Sequence, residues 1–207
     1  MILNDDVLKI GAEARISRTY FLGRKAVLKQ RVRKSYRDER LDRRITVQRI
    51  RNEARCMVAA RNAGLNVPRI YDVDEDEGRI VMEFIDGRRL NQLLYEADRQ
   101  YRISLETLLG SSIGLMHSSG ISHGDITTSN VIVRDDLLYF IDFSFASRFA
   151  NEETMGVDIR LLREVYRSTH TEFESELGLI EDAYLRNGGK HEILEKADEI
   201  QSRARYT

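Results

Sequence analysis

The feature that most constrains this chain is a short β-hairpin with polar residues at both of its ends. Residues 131–133 and 137–141 are apolar runs, and only a short polar turn separates them. Strands joined by so short a turn pair in antiparallel fashion. The residue that precedes the first strand and the residue that follows the second therefore lie at the same end of the hairpin. These two residues are Asn130 and Asp142.

Asn130 and Asp142 have the chemistry of a magnesium site. An amide oxygen and a carboxylate are hard ligands, suited to a Mg²⁺ ion that also contacts phosphate. Asp125 lies on the loop that leads into the same end of the hairpin. From there it can accept a proton from an incoming nucleophile or orient it. The sequence therefore predicts a phosphoryl-transfer site, with Asp125 as a catalytic residue and Asn130 and Asp142 as metal ligands.

The combined spacing narrows this prediction. The chain reads His123-x-Asp125-x₄-Asn130, then the hairpin, then Asp142-Phe143. This order resembles the catalytic loop and the metal-binding Asp-Phe-Gly of protein kinases. The alternative is a polar loop followed by an ordinary hairpin that ends in an aspartate. That alternative leaves the coincidence of the three elements unexplained.

The two parts of the chain differ in their predicted secondary structure. Short strands are predicted over residues 7–28, 70–73 and 80–85, with one long helix over residues 44–63. After Asp86-Gly87, amphipathic helices are predicted over residues 90–97, 105–118, 157–168, 172–185 and 193–205. We therefore predict a single kinase domain of the α+β class with a two-lobed protein-kinase-like fold. Its strand-rich N-lobe is residues 1–85, and its reduced, mainly helical C-lobe is residues 86–207.

A kinase-like site also needs a lysine on the nucleotide phosphates and a carboxylate that holds this lysine. Lys29 ends the apolar run of a predicted strand, and Glu53 lies on or beside the apolar stripe of the long helix. A carboxylate in that position is costly unless it is paired. We therefore expect Lys29 and Glu53 to form a catalytic pair. The alternative is that Glu53 pairs with an arginine neighbour such as Arg49.

The nucleotide base needs an apolar slot with backbone donors and acceptors at its edge. Residues 82–85 end a predicted strand and are the expected hinge, where the Glu83 carbonyl and the Ile85 amide would face the base. The chain has no Gly-x-Gly-x-x-Gly, so another loop, such as residues 12–15, must cover the phosphates. The predicted nucleotide-binding residues are Gly11, Ala12, Glu13, Ala14, Lys29, Glu83, Phe84 and Ile85.

Motifs spread over nearly the whole chain carry a narrower resemblance. The most specific of them is His123-Gly124-Asp125-x-Thr127-Thr128-Ser129-Asn130. The others are Gly11-Ala12-Glu13-Ala14, Lys29-Gln30-Arg31, Glu53-Ala54-Arg55, Ile141-Asp142-Phe143, Val157-Asp158, Ser168-Thr169-His170 and a basic C-terminus. Together they are similar to the small atypical kinase subunit of the KEOPS (EKC) complex, the PRPK family.

This resemblance implies a protein kinase reduced to a minimum, which uses ATP and Mg²⁺ as an ATPase and an atypical serine/threonine kinase. It implies membership of a complex that adds threonylcarbamoyl to an adenosine of tRNA. The implied partners are the threonylcarbamoyl transferase subunit and a small subunit that docks on the N-lobe. The transferase subunit would contact the C-lobe and the C-terminal Arg203 and Arg205. A basic helix end without a partner is the alternative for these two arginines.

Several positions depart from the kinase pattern. Ser144 replaces the glycine that follows Asp142-Phe143, and Thr127 stands where protein kinases carry a catalytic-loop lysine. Serine avoids positive φ, so we expect restricted backbone rotation after the metal ligand. Only 15 residues separate Asp142 from Asp158, and there is no Ala-Pro-Glu. Because this leaves little room for a peptide platform, we expect ATP hydrolysis, or phosphorylation of the protein itself or a bound partner.

Two other functions stay open. Small-molecule kinases of the aminoglycoside or choline type also use His-Gly-Asp-x₄-Asn, but 207 residues leave no space for the helical insertions that build their substrate pockets. A catalytically weak pseudokinase that acts as a scaffold would need no ATP turnover. Ser144 favours the scaffold. The filled catalytic positions argue against it, namely Lys29, Glu53, Asp125, Asn130 and Asp142.

Charge is distributed unevenly along the chain. The net charge is −1, yet residues 24–61 contain 14 Lys or Arg and only 4 Asp or Glu. We expect this basic segment to bind a polyanion, which the resemblance identifies as tRNA. A solvated helix face is the other interpretation.

Cys56 is the only cysteine, and neither a leader nor a membrane-length apolar run is found. We therefore expect a cytoplasmic protein with no membrane contact, which in a eukaryote could also enter the nucleus.

Overall fold

The computed structural model describes residues 6–11, 13–33 and 38–204. They form two compact units. Unit 1 comprises the described residues up to Arg55 together with Pro68–Asp86, and unit 2 comprises Cys56–Val67 together with the described residues from Gly87 onward. One unit boundary thus lies a single residue from the expected division at residues 85 and 86. Residues 56–67 were expected in the N-lobe and group with unit 2.

Unit 1 is built on a five-stranded antiparallel sheet in the order β1-β2-β3-β5-β4. Its strands are β1 (Asp6–Ile10), β2 (Ala14–Phe21), β3 (Arg24–Arg31), β4 (Ile70–Asp74) and β5 (Arg79–Glu83). Alternate residues of a strand share a face, and Ala26 and Leu28 of β3 form a buried cluster with Val81 of β5. The rings of Phe21 and Tyr71 stack beside this cluster, 5.6 Å apart.

Helix α1 (Glu39–Asn62) begins five residues before its predicted start. The cause is Asp38, whose carboxylate accepts hydrogen bonds from the backbone amides of Arg40 and Leu41 at 3.0 and 3.2 Å. An aspartate that binds the first free amides of a helix stabilises that start. Beyond Arg55 the helix belongs to unit 2.

The segment after α1 also packs in unit 2. Leu65 and Val67 are buried there. The carbonyl of Asn66 accepts a hydrogen bond from the amide of Phe140 at 3.0 Å. These contacts are the physical reason that residues 56–67 group with unit 2.

Unit 2 combines five helices, the end of α1 and a small antiparallel sheet. The sheet contains β6 (Arg88–Arg89), β7 (Val131–Arg134) and β8 (Leu137–Phe140), in that order. The helices are α2 (Leu90–Glu96), α3 (Arg99–Ser118), α4 (Glu152–Ser168), α5 (Leu177–Arg186) and α6 (His191–Ala204), with 3-10 turns at Thr128–Asn130 and Thr171–Glu176. Helices α3 and α5 approach closely at Gly110, where a Cβ atom would lie 2.1 Å from the carbonyl oxygen of Ile180.

Three helix predictions for unit 2 need correction. Helix α3 starts six residues before its predicted start, because the Asp98 side chain accepts a hydrogen bond from the amide of Tyr101. Helix α4 starts five residues early, because Asn151 and Thr154 form a capping box. Residues 172–185, predicted as one helix, are a 3-10 turn followed by α5.

No helix in the described parts of the two units is long and apolar enough to cross a membrane.

Candidate active site

The β7–β8 hairpin brings Asn130 and Asp142 to one end, as its short turn requires. The two turn residues, Asp135 and Asp136, both have positive φ, of 52° and 58°. Two successive residues with positive φ are characteristic of the tight turn that matches the twist of a hairpin. At the other end, the amide of Ile141 donates to the carbonyl of Asn130 at 3.0 Å. The backbone around both predicted metal ligands is therefore fixed by hairpin pairing.

Asn130 also contacts the predicted catalytic residue Asp125. Its side-chain nitrogen donates to the Asp125 carboxylate at 2.8 Å and to the Asp125 carbonyl at 3.0 Å. Both partners are acceptors only, so this end of the amide must be the NH₂ group. The amide oxygen is the atom that Asn130 retains for a cation. The arrangement orients the Asp125 carboxylate at the same time.

Asp142 adopts an uncommon backbone conformation, with φ at 65°. Its Oδ1 accepts a hydrogen bond from the hydroxyl of Ser144 at 2.7 Å. Positive φ in this segment occurs at Asp142 and not at Ser144, and the restricted backbone rotation expected after the metal ligand stays a prediction. Serine at this position therefore fits the backbone and adds a side-chain contact to a predicted metal ligand.

The loop before Asp125 is held by a buried aspartate that the sequence did not identify as a site residue. The two carboxylate oxygens of Asp158 accept hydrogen bonds from the backbone amides of His123 and Gly124, each at 2.7 Å. Asp158 is fully buried, and His117 Nε2 lies 3.2 Å from its Oδ2. Such charge-assisted bonds to backbone amides are strong. Asp158 therefore sets the backbone from which Asp125 projects.

His123 supports the same loop as a neutral side chain. Burial lowers its pKa, although the negative charge of Asp158 opposes this shift. Its Nε2 lies 3.1 Å from the carbonyl oxygen of Ile141, so Nε2 carries the proton and donates. Its ring packs on Phe143 with 4.7 Å between ring centroids. His123 thus connects the loop before Asp125 to the strand that leads into Asp142.

Two further side chains hold the 3-10 turn that ends at Asn130. Arg89 of β6 donates from Nη1 to the carbonyl of Ser129. Partial burial lowers the pKa of Arg89, and the nearby charge of Asp142 opposes this shift. On the buried side, His170 Nε2 lies 2.7 Å from the Thr128 hydroxyl. No role was predicted for Arg89, and the only sequence signal for His170 was its place in the motif Ser168-Thr169-His170.

In unit 1 the predicted pair of Lys29 and Glu53 is in contact. The ammonium group of Lys29 donates to Oε1 of Glu53, and both side chains are buried. Glu53 has a second cationic partner that we did not predict, because Arg31 Nη2 donates to its Oε2 at 3.0 Å. Lys29 and Arg31 are two residues apart on β3, so they share a face of the sheet. Arg49, the alternative partner, pairs with Glu13 instead.

The predicted phosphate-covering loop is described only in part, since Ala12 lies outside the described residues. The amide of Gly11 donates to the carbonyl of Ala14 at 3.0 Å, which closes the turn between β1 and β2. The Glu13 carboxylate accepts from Arg49 Nη1 at 2.5 Å. Ala14 is buried in β2. The acidic side chain of this turn is thus paired with an arginine, and the role of the turn in covering phosphate stays a prediction.

The predicted hinge residues end β5. The amide of Glu83 donates to the carbonyl of Arg69 at 2.8 Å, and the side chain of Ile85 is buried. The guanidinium group of Arg18 lies over the ring of Phe84, 5.2 Å from its centroid. The Phe84 ring thus packs on the sheet of unit 1, and the contacts of the Glu83 carbonyl and the Ile85 amide with a base stay a prediction.

The donor set in unit 2 fits a Mg²⁺ ion that arrives with a nucleotide. Among the described residues, no cluster of three or more His, Cys, Asp or Glu side chains could hold a metal by itself. One carboxylate and one amide oxygen are nonetheless a sufficient protein contribution for Mg²⁺, which takes its other ligands from phosphates and water. Asn130 and Asp142 would hold it.

A strand-rich unit with a buried Lys–Glu pair and a helical unit with Asp125, Asn130 and Asp142 around a hairpin define a protein-kinase-like protein. Comparison with solved structures confirms this predicted α+β fold. The Rio2 kinase of Chaetomium thermophilum, in its complex with ADP/Mg²⁺ and phosphoaspartate, matches with a TM-score of 0.64. The match covers 96% of this chain and 70% of that chain at 18% identity.

Sequence comparison defines the family. The RIO domain profile matches residues 8–177. The KEOPS complex subunit Bud32 of Pyrococcus abyssi is 39% identical over an alignment of 210 positions, which includes 97% of this chain and 96% of that protein. The EKC/KEOPS complex subunit bud32 of Dictyostelium discoideum is 34% identical, with 94% and 81% covered. The chain therefore belongs to the RIO domain family and, within it, to the family of Bud32 proteins, which confirms the resemblance found in its motifs.

Some relatives are longer. A probable bifunctional tRNA threonylcarbamoyladenosine biosynthesis protein of Methanothermobacter thermautotrophicus is 38% identical over 209 residues. The match covers 99% of this chain but only 37% of that protein.

Proposed function

We propose that this chain is a Mg²⁺-dependent ATPase and atypical serine/threonine kinase that acts as a subunit of a KEOPS-type complex in tRNA threonylcarbamoyladenosine modification. The observation that carries the catalytic part is the hydrogen bond between Asn130 and Asp125, beside a hairpin that holds Asp142 at the same end. A phosphotransferase needs these three groups together. A scaffold would have no use for so specific an arrangement.

The proposed chemistry assigns a task to each of these residues. Mg²⁺ bound with ATP would neutralise charge on the phosphates. Asn130 and Asp142 would hold that ion through their oxygens. Asp125, oriented by the Asn130 amide, would accept the proton of water or of a serine or threonine hydroxyl. In unit 1, Lys29 would bind the nucleotide phosphates, with Glu53 and its second partner Arg31 fixing the position of its ammonium group.

The names of the relatives support the biological part of the proposal. The Pyrococcus and Dictyostelium relatives are KEOPS subunits, and the Methanothermobacter relative carries threonylcarbamoyladenosine biosynthesis in its name. We propose the same setting for this chain, with the transferase subunit and a small N-lobe-binding subunit as partners. Of the two C-terminal arginines predicted to contact the transferase, Arg203 pairs with Glu199 and Glu153, and Arg205 lies outside the described residues.

We also propose that the basic segment, residues 24–61, binds tRNA. The structure pairs several of its exposed arginines with acidic residues, as in Arg43–Asp76 at 2.6 Å and Arg51–Glu75 at 2.5 Å. Exposed pairs of this kind are weak, so a phosphate can replace the carboxylate. Lys34 and Arg37, which the sequence placed in this surface, lie outside the described residues. Reversing both charges should weaken tRNA binding and flatten its dependence on salt.

Phosphate release measured with and without the transferase subunit and tRNA tests the catalytic proposal. We expect weak Mg²⁺-dependent turnover by the chain alone, a higher rate with the partner or tRNA, and loss of both rates in Asp142→Ala. Asp182→Ala, at an exposed position of α5, is the matched control and should turn over ATP at the wild-type rate. Equal rates for Asp142→Ala and wild type under every condition would instead establish the scaffold.

A further inference from the structure

The turn that presents Asn130 rests on a buried polar contact outside the predicted site. Thr128 opens the turn Thr128–Asn130 and is 1% exposed. Its hydroxyl lies 2.7 Å from Nε2 of His170, which is fully buried. These two residues are 42 positions apart in the chain. A long-range contact therefore reaches the loop on the side away from solvent.

His170 is itself held in place by both its backbone and its ring. At the end of α4 its amide donates to the carbonyl of Tyr166 at 3.1 Å, and its carbonyl accepts from the amide of Phe173 at 2.8 Å. Its ring packs between Tyr95 and Tyr166, with centroid distances of 5.4 and 5.1 Å. The Tyr95 hydroxyl donates to the carbonyl of Thr169. The position of His170 Nε2 is thus set by several independent contacts.

The contact between His170 and Thr128 should stabilise the turn more than the hydrogen bond from Arg89 does, because the two contacts differ in their exposure to water. Arg89 binds the carbonyl of Ser129, an exposed residue where water can take the place of the arginine. The Thr128 hydroxyl has no such substitute, because a buried polar group that loses its partner stays unsatisfied. Removal of His170 would therefore leave the turn to rearrange until the hydroxyl finds another partner.

We propose that His170 is a positioning residue for Asn130 and acts through the Thr128 hydroxyl. The inference rests on the proposed function, because it requires Asn130 to hold the cation that accompanies the nucleotide. The path is short: His170 fixes Thr128, and the amide of Asn130 donates to the carbonyl of Thr127 at 3.0 Å, which closes the turn. The Asn130 side chain then contacts Asp125. A shift at Thr128 would move the amide oxygen of Asn130 away from the cation.

Binding of Mn²⁺, used as a probe for Mg²⁺, tests this role by electron paramagnetic resonance in the presence of ADP. His170→Leu removes the polar contact and should weaken Mn²⁺ binding by about 10–100-fold, as the loss of other groups that orient metal ligands does. His170→Gln can place a polar group near the position of Nε2 and should restore most of the affinity. Thr128→Val should match His170→Leu, and the double variant should be no weaker than either single variant.

Tyr166→Phe is the matched control. It removes a buried hydroxyl from the same aromatic group, one that donates to Glu106 at 3.1 Å, without touching Thr128. It should lower the melting temperature and leave Mn²⁺ binding at the wild-type level. If His170→Leu fails to fold, Mn²⁺ binding is compared between Thr128→Val, which removes the hydroxyl, and Thr128→Ser, which keeps it.

The outcomes separate this inference from the proposed function. Wild-type Mn²⁺ binding in both Asn130→Ala and Asp142→Ala would remove the proposed metal site, and the role of His170 with it. Loss of binding in those two variants together with wild-type binding in folded His170→Leu, or in Thr128→Val, would overturn the positioning role alone. Independent, additive losses from His170→Leu and Thr128→Val would overturn it as well.

Discussion

The side-chain amide of Asn130 donates to the carboxylate of Asp125 over 2.8 Å. One hydrogen bond thus joins a predicted metal ligand to the predicted catalytic residue. The orientation of Asp125 and the position of the Asn130 oxygen cannot change independently. Substitution of either residue should therefore disturb both proton transfer and cation binding.

Asn130→Asp tests this coupling because it keeps an oxygen ligand and removes the amide donor. Two carboxylates would then face each other, which favours protonation of one of them. We expect ATP turnover to fall by about 10–100-fold, with a higher Mg²⁺ requirement, in steady-state assays over a Mg²⁺ series. Asn62→Asp, at an exposed position of α1, should behave as wild type. Unchanged turnover in Asn130→Asp would show that the hydrogen bond has no catalytic role.

Substitution of Lys29 and substitution of Glu53 should lower the free energy of unfolding by different amounts. Lys29→Met leaves Glu53 paired with Arg31, so we expect nucleotide binding to be lost with a modest effect on folding. Glu53→Ala takes the shared carboxylate away from the buried Lys29 and from Arg31, which also contacts Glu13 at 3.8 Å, and this should cost about 3–5 kcal/mol. Urea unfolding and ADP titration measure the two effects. A larger loss of stability in Lys29→Met than in Glu53→Ala would contradict this order.

Gly124 should not tolerate a side chain. Its φ is +79°, and a Cβ atom there would lie 2.4 Å from the carbonyl oxygen of Phe145. Gly120 has a similar φ of +73° with nothing within 4 Å of its Cβ position. Gly120→Ala should therefore cost only about 1–2 kcal/mol, the strain of a left-handed residue. Gly124→Ala should cost clearly more in thermal unfolding and also reduce ATP turnover, because Asp125 follows directly.

Glu106 should make stability depend on pH. Burial, aided by the negative charge of Glu176, raises the pKa of Glu106 from 4.5 to about 7, and the Tyr166 hydroxyl and Arg102 oppose this shift. The folded protein then holds a proton that the unfolded chain releases, so the free energy of unfolding contributed by Glu106 falls between about pH 4.5 and 7. In Glu106→Gln, the free energy of unfolding should not show this decrease, because glutamine does not titrate.

Denaturant unfolding of wild type and Glu106→Gln at pH 5 and pH 8 measures the effect. The two proteins should be similar at pH 5, and the variant should be more stable at pH 8 by up to about 3 kcal/mol. Glu192→Gln, at an exposed position on α6, is the control and should follow the wild-type curve. Parallel curves for wild type and Glu106→Gln would show that Glu106 is ionised at both pH values.

Local patterns were enough to predict the hairpin and the two residues at its end. Because the turn is too short for any other pairing of the two strands, Asn130 and Asp142 lie close together regardless of how the rest of the chain folds. The contact between Lys29 and Glu53 followed from the cost of burying a carboxylate. The early start of α1 can also be predicted from the sequence, because Asp38 is a helix-capping residue that precedes the apolar stripe.

Long-range contacts could not be predicted in this way. Strand β6 is two residues long and exists only because Arg88 and Arg89 pair with β7. Nothing near Asp158 in the sequence indicates that it binds the amides of His123 and Gly124, 35 and 34 residues away. Such partners depend on how the chain is folded back on itself. The periodicity of apolar residues in the sequence indicates only which side of a helix or strand is buried.

The shared use of helix α1 by the two units has a consequence for synthesis on the ribosome. The end of α1 and the segment after it leave the ribosome early, but Asn66 binds Phe140. At about 5–20 residues per second, that partner is made on the order of ten seconds later. During this interval Cys56, Met57, Leu65 and Val67, all buried in the finished protein, lack the rest of unit 2. Nascent chains of this protein should therefore expose this apolar segment to chaperones until the hairpin carrying Asp142 is complete.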